Sequence, residues 1–315
     1  MTDVVLLFPG QGSQKPGMGR DLAGAYPAAR QVFECVDHAL GIPVSRTAFE
    51  GPASELTRTD VAQPALLAHG AAVWAVTREA LAGHVRAAAG HSLGEFTAYY
   101  AAEALSLASA AKLVRVRGEL MHRAGEDRPG AMAAVIGHLS VRIDDLCRQS
   151  TAEAGEVVAA NYNGPEQTVV SGEIAGVERL MVLAKERGAK RVLRLPVAGA
   201  FHSPLMRPSV PGLGSALDAA GLTDPRVPVY ANVDAQPIRT AQRAREMLLR
   251  QLTEPVRWVE LVRNMAAAYP DALFVEMGPG SVLSGLVKRI APQLATLACG
   301  TPADIDRLFE RVHAD

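Results

Sequence analysis

The chain has little of what marks several protein classes. Only three of its 315 residues are cysteine, Cys35, Cys147 and Cys299, and they are far apart. No Cys-x-x-Cys or Cys/His spacing suggests a metal site, and so few thiols do not make a disulfide framework. Three buried thiols in a reducing cytosol is the simplest expectation. Charge of one sign is missing too: 32 Lys and Arg face 33 Asp and Glu, with no run of like charges. A net charge of -1 provides no long-range field for nucleic acid. No stretch is apolar enough to span a bilayer, and the opening MTDVVLLFPG, with its acidic Asp3, is too short an apolar run for a signal peptide. Neither nucleic acid nor membrane is expected as a partner, and the expected location is the cytoplasm.

What is present is an ordinary apolar share, 49%, enough for one large core plus a smaller one. The centre of the pattern is AAAGHSLGEFTAYY, Ala87 to Tyr100. Small apolar residues from Val85 to Ala89 predict a strand, and the Ala/Tyr-rich stretch predicts a helix. Between them Gly90-His91-Ser92-Leu93-Gly94 is a G-x-S-x-G sequence. Glycines two positions either side of the serine allow a turn too tight for side chains there, which exposes the Ser92 hydroxyl for attack. Leu93 falls in the first helical turn, where N–H groups lack intrahelical acceptors and can face an oxyanion.

Val4 to Phe8 reads as a buried parallel strand closed by Pro9 and Gly10. The glycine-rich loop behind it has P-loop spacing at Gly12 and Gly17, but Met18 and Gly19 stand where Lys and Ser/Thr are needed, and no dinucleotide pattern is complete. Close backbone approach to a ligand is still possible there, so the Gln11 N–H is a second candidate oxyanion donor. Helical patterning covers Asp21–Leu40, Pro64–Leu81 and Leu107–Ala124. In the last of these, stepping about 100° per residue puts Val114, Val116, Leu120, Met121 and Ala124 in one apolar stripe with Arg117 near its middle. A guanidinium there needs an anion: a buried Asp or Glu, or the carboxylate of a substrate held in the planar geometry arginine offers.

From Gly130 the order of elements becomes βαββαβ: strands 131–136, 157–160, 167–170 and 190–197, with helices 141–154 and 174–187. This is the split arrangement of a ferredoxin-like domain. The expected architecture is therefore α/β: a discontinuous large domain, 1–129 and 199–315, and an inserted small domain, 130–198. Asn161 and Asn163 lie near the Gly164-Pro165 turn, and either could face a cleft or simply cap that turn. His202, in Gly199-Ala200-Phe201-His202, lies just past the insert, where clefts form and a base could reach Ser92. His91 is next to Ser92 in sequence, but neighbours on a sharp elbow point apart. The remainder predicts a helix after Pro208, a strand at 227–231, a helix at 240–252 and a strand at 273–276.

Eight stretches together resemble one family: Phe8 to Gln14, Gln63 to Leu66, Gly90 to Glu95, Arg117-Gly118, Gly130 to Ala134, Gly199 to Met206, Gln251 to Trp258, and Glu276 to Gly280. In that order, from end to end, they are similar to the malonyl-CoA:acyl carrier protein transacylases and the related acyltransferases of polyketide synthases, which have an α/β-hydrolase-like catalytic domain. The resemblance implies Ser92 as nucleophile, His202 as base, Arg117 as clamp for the malonyl carboxylate, and the Gln11 and Leu93 N–H groups as oxyanion hole. It further implies that the Gln251 backbone carbonyl orients His202, that Gln63 lines the site, and that the bulk of Phe201 leaves little room for an α-methyl group. The implied partners are malonyl-CoA and acyl carrier protein, with exposed Lys and Arg near the cleft meeting an acidic carrier. No cofactor or metal is implied, and a monomer is expected. Fatty acid and polyketide synthesis stay open. One departure is Glu103, where relatives usually have glycine after the elbow helix.

Overall fold

A computed structural model describes residues 2–197 and 199–313. The expected segment ends at 1, 198 and 314–315 lie outside the described residues. Among the described residues ten strands form two sheets: β1 Val4–Phe8, β2 Val85–Gly90, β3 Gly130–Ile136, β4 Val157–Gly164, β5 Gln167–Glu173, β6 Arg191–Arg194, β7 Val229–Tyr230, β8 Pro237–Ile238, β9 Leu273–Met277 and β10 Ala295–Cys299. The larger sheet runs β10-β9-β1-β2-β7-β8, parallel except for the antiparallel edge strand β8.

The apolar run VVLLF makes β1 a central strand because it is covered on both sides. Val4, Leu6 and Phe8 enter a core with the helices Thr59–Thr77, Leu93–Ala101 and Leu107–Asp127, while Val5 and Leu7 enter one with the helices Trp258–Ala268 and Val282–Ile290. The carboxyl ends of β1 and β2 are side by side, with Phe8 opposite Gly90. The glycine-rich loop and the serine turn therefore emerge next to each other, at the end of an α/β sheet where ligands bind.

The smaller sheet, β4-β5-β3-β6, is wholly antiparallel, and strands and helices alternate as βαββαβ. Its alternation separates two faces. Ala131, Ala133 and Val135 pack under the helices Ile143–Glu153 and Ile174–Glu186, while Met132 and Ala134 point the other way, into the cleft between the sheets. The small sheet is also tied by backbone to the segment before the helix Trp258–Ala268: Tyr162 N–H donates to the Val256 carbonyl at 2.9 Å and Val256 N–H to the Ala160 carbonyl at 2.8 Å.

Several expectations need correcting. The helix expected over 21–40 is two helices, Arg20–Ala25 and Pro27–Leu40, because Pro27 forces Tyr26 into extended backbone with φ -123°. The helix expected from Pro64 begins five residues earlier, at Thr59. The carbonyl of Asp60 that Pro64 leaves unbonded accepts from Arg115 Nη1 at 2.8 Å instead. The strand expected through Val197 ends at Arg194, close to Pro196. Cys35 is exposed, since the buried stripe of its helix runs through Ala29, Val32, Phe33 and Val36. Val116 and Leu120 are only half-buried at the margin of a stripe centred on Leu113, Val114, Arg117, Gly118 and Met121. The strand β10 and the final helix Pro302–His313 carry no expectation from the sequence.

Candidate active site

Ser92 sits at the junction of β2 and the helix Leu93–Ala101 with φ 51° and ψ -109°, a conformation disfavoured for a side-chain-bearing residue. The flanking glycines make the turn possible by close approach. A Cβ on Gly90 would overlap the Gly94 carbonyl, and one on Gly94 would overlap the carbonyl of Phe8. The strain at Ser92 is held from both sides: its N–H donates to Asn232 Oδ1 at 2.7 Å, and its carbonyl accepts from Gln251 Nε2 at 2.9 Å. Asn232 Nδ2 also donates to the Gly90 carbonyl at 2.7 Å.

Two groups converge on the serine oxygen. His202 Nε2 lies 2.7 Å from Ser92 Oγ, and Arg117 Nη2 donates to the same oxygen at 2.9 Å. On its other side His202 Nδ1 lies 2.7 Å from the backbone carbonyl of Gln251. A carbonyl only accepts, so Nδ1 carries the proton and Nε2 is left free to accept from the serine hydroxyl. Burial, and then the charge of Arg117, push His202 down to about 3, so the ring is neutral over the working pH range. Like Ser92, His202 has positive φ, 56°.

Arg117 is buried, and burial lowers it to about 10, so it remains charged at neutral pH. Its three side-chain acceptors are all neutral: Gln63 Oε1 at 2.7 Å, Gln251 Oε1 at 2.9 Å and Ser92 Oγ. The Phe96 ring lies 5.4 Å from the guanidinium carbon, and Nε has no hydrogen-bond partner among the described residues. The buried Asp or Glu that a purely structural arginine would need is not among these contacts.

The cleft over Ser92 has a volume of about 450 Å³, walled by Gln11, Leu93 and Arg117 from the large sheet's side, Met132, Asn161 and Val169 from the small sheet, and Phe201 and His202 from the junction. Neither Gln11 N–H nor Leu93 N–H has a protein acceptor among the described residues. A larger cavity, about 830 Å³, opens near the start of β2 around Glu103 and Arg226, and no histidine or cysteine lines it.

Gln63 is placed differently from expectation. It is fully buried behind Arg117 and braces the guanidinium rather than lining the cleft. His91 turns away from Ser92, its Nε2 lying 2.7 Å from Asn163 Oδ1 and its ring against Trp258. Two residues that meet the site had no assigned role from the sequence. Asn232 is buried 140 positions from Ser92 and stands in no recognisable motif. Glu95 is inside the GHSLGE stretch, and its signal is a charged residue one turn into an otherwise apolar helix. Glu103 occupies the left-handed position after the elbow helix, φ 60°, with Ala104 N–H bonded to the Tyr99 carbonyl and Glu103 N–H to that of Tyr100. That is the helix-ending motif in which glycine is favoured, which gives the departure a physical setting.

The model for the acyl transferase domain matches residues 5–299. The chain is 44% identical to the malonyl CoA-acyl carrier protein transacylase of Bacillus subtilis over 97% of this chain and 96% of that one. With the Escherichia coli K12 protein of the same name it shares 39%, over 98% and 100%. The crystal structure of an acyl-carrier-protein-S-malonyltransferase from Bartonella henselae superimposes with a TM-score of 0.93 at 40% identity, covering 98% of this chain and 99% of that one. A malonyl-transacylase solved with its type II polyketide synthase acyl carrier protein also gives 0.93, at 37% identity over 98% and 100%. The chain belongs to the acyl transferase family, within its malonyl-CoA:acyl carrier protein transacylases.

Proposed function

We infer that this protein moves a malonyl group from coenzyme A to the phosphopantetheine thiol of acyl carrier protein, for fatty acid or polyketide synthesis, through a malonyl-serine intermediate. The observation that carries the mechanism is the meeting of a neutral imidazole and a buried guanidinium on one serine oxygen, at 2.7 and 2.9 Å.

In this reading His202 Nε2 takes the proton of Ser92 as Oγ bonds to the thioester carbon. The tetrahedral oxyanion is met by the N–H groups of Gln11 and Leu93, a pair whose individual loss costs about 3 to 4 kcal/mol of barrier in comparable sites. Collapse breaks the carbon–sulfur bond, and the proton passes from His202 to the departing thiolate of coenzyme A. The carrier thiol then gives its proton to His202, attacks the malonyl-serine ester and releases Ser92 with that proton. The Gln251 carbonyl keeps the ring in one tautomer without adding the charge a carboxylate would. Arg117 holds the malonyl carboxylate, and Phe201 limits bulk at the α-carbon.

No described helix is long and apolar enough to cross a membrane. The three free thiols suit a cytoplasmic setting. The decisive experiment incubates the protein with malonyl-CoA and holo acyl carrier protein, then measures malonyl-carrier and free malonate. Carrier loading that is lost with Ser92→Ala, together with a malonyl adduct on the unmutated chain by intact mass, is the expected result. Free malonate as the main product would make the protein a hydrolase, and no adduct at all would overturn the acyl-enzyme.

A further inference from the structure

Glu95 is completely buried, one turn past the nucleophile candidate. Its Oε2 accepts from Gln251 Nε2 at 2.6 Å and from Asn232 N–H at 3.2 Å, while its Oε1 has no donor among the described residues. The same Gln251 side chain, through its own oxygen, accepts from Arg117 Nη2 at 2.9 Å. Two buried opposite charges are thus joined through one amide rather than by direct contact. A direct pair would use up the guanidinium's preference for an anion, and no pair at all would leave both groups uncompensated. The bridged arrangement stabilises Arg117 yet leaves it receptive.

Resting on the acyl-transfer reading above, we propose that Glu95 is the resident counter-charge of Arg117 and takes up a proton when a malonyl carboxylate pairs with that guanidinium, so that malonyl binding is linked to proton uptake. The incoming carboxylate puts a second negative charge beside the same cation, and a like charge nearby disfavours the ionised form of a carboxyl group that is already buried. Oε1 is the oxygen that accepts the proton without displacing a hydrogen bond. Burial already raises Glu95 to about 7, so the exchange falls within the working range.

The charged and titratable groups facing Glu95 are Arg117 from the helix Leu107–Asp127, Asp234 from the turn between β7 and β8, and Tyr99 from its own helix. Those on neighbouring elements are engaged elsewhere: Asp60 with Arg58 and Arg115, His69 with the Gly300 carbonyl, and Arg250 with Glu254. His202, near 3, does not exchange protons near neutrality. Glu95 acts through Gln251 and Arg117, which makes it a positioning residue with a charge-balancing role.

The test is calorimetric titration of the full-length Ser92→Ala protein with malonyl-CoA at pH 7, in two buffers of different ionisation enthalpy. Glu95, raised to about 7, is partly ionised at pH 7, so a net uptake of up to one proton per malonyl-CoA is expected, with affinity weakening by up to about tenfold per pH unit as pH rises. Adding Glu95→Gln, which keeps an acceptor for Gln251, should abolish both effects. Unchanged proton uptake in the Gln variant, or none with Glu95 present, would overturn the proposal. Should the double variant fail to fold, infrared difference spectra of the Glu95-containing protein with ¹³C-malonyl-CoA take its place. A protonated-carboxyl band that the label does not shift is expected on binding, and its absence refutes the idea. Binding without proton uptake sinks only this proposal, whereas no malonyl-CoA binding at all also sinks the acyl-transfer reading.

Discussion

Replacing Arg117 by methionine, unbranched and near in bulk, separates its two contributions. The guanidinium donates to Gln63, Gln251 and Ser92, so it can select a carboxylate and also polarise the nucleophile. As a clamp it offers a carboxylate two charge-assisted hydrogen bonds, each worth about 1.5 to 3 kcal/mol, so malonyl transfer should fall by about 10² to 10⁴-fold. An acetyl group has no such contact to lose. For acetyl-CoA the removal of the cation also lifts the second-largest of the causes that depress His202, after burial, making it a stronger base. Acetyl transfer should therefore change by less than about tenfold. Quenched-flow measurement of acyl-enzyme formation by intact mass, with malonyl-CoA and acetyl-CoA against both proteins, gives the four rates required. Equal losses for the two thioesters would show that Arg117 acts through Ser92 Oγ alone, and the clamp would be refuted.

Gly94→Ala should cost more than about 4 kcal/mol in denaturant unfolding, because its Cβ meets the Phe8 carbonyl and neither backbone can yield; a loss below 1 kcal/mol would mean that the elbow tolerates a side chain. Glu103→Gly removes left-handed strain of about 1 to 2 kcal/mol but also an exposed ion pair with Arg226 worth about 0 to 1, so stability should stay level or rise, with acylation unchanged; a loss of 2 kcal/mol or more by the same assay would contradict this. His69, buried against the Gly300 carbonyl, is lowered to about 4 and His202 to about 3, so between these values and the unfolded value of about 6.5 the unfolded chain binds more protons. The stability they allow is therefore present above pH 6.5 and lost as pH falls towards 4, by up to about 1.4 kcal/mol per pH unit for each; His69→Gln should reduce that slope in unfolding titrations at pH 7, 6 and 5, and an unchanged slope would refute its share.

The parts of the fold legible in the sequence are those whose signal is local. VVLLF alternates between two cores that both lie in the protein interior, so its run of apolar residues reads as a central strand without tertiary knowledge. The G-x-S-x-G turn reads correctly because its glycines are required by contacts within a few residues of the strand ends. Arg117 was visible as a cation on an apolar stripe. Helix limits were less legible: with Pro64 inside it, the helix from Thr59 depends on Arg115 donating to the carbonyl of Asp60, 55 positions from it, that Pro64 leaves free. The edge strand β10, ATLAC, is partly exposed and lacks the continuous run of large apolar residues that marks β1. Gln63 could be named but not placed, since facing a cleft and bracing the residue that faces it demand the same side chain.

Asn232 and Glu95 belong to another kind of information. Ser92 and His202 both hold positive φ, a conformation that persists only where surrounding groups over-determine it. For Ser92 those groups are Asn232 on the amide and Gln251 on the carbonyl, and Glu95 fixes both of them through one carboxylate oxygen. Gln251 in turn supplies the carbonyl for His202 and an acceptor for Arg117. Five residues further on, Val256 bonds into β4 of the small sheet, so the wall of the cleft and the orientation of the base share one short segment. A shift of that segment would move the imidazole, the guanidinium and the small sheet together. The geometry needed for acyl transfer is consequently set less by the serine motif than by a polar segment whose partners lie up to 159 positions away in the chain.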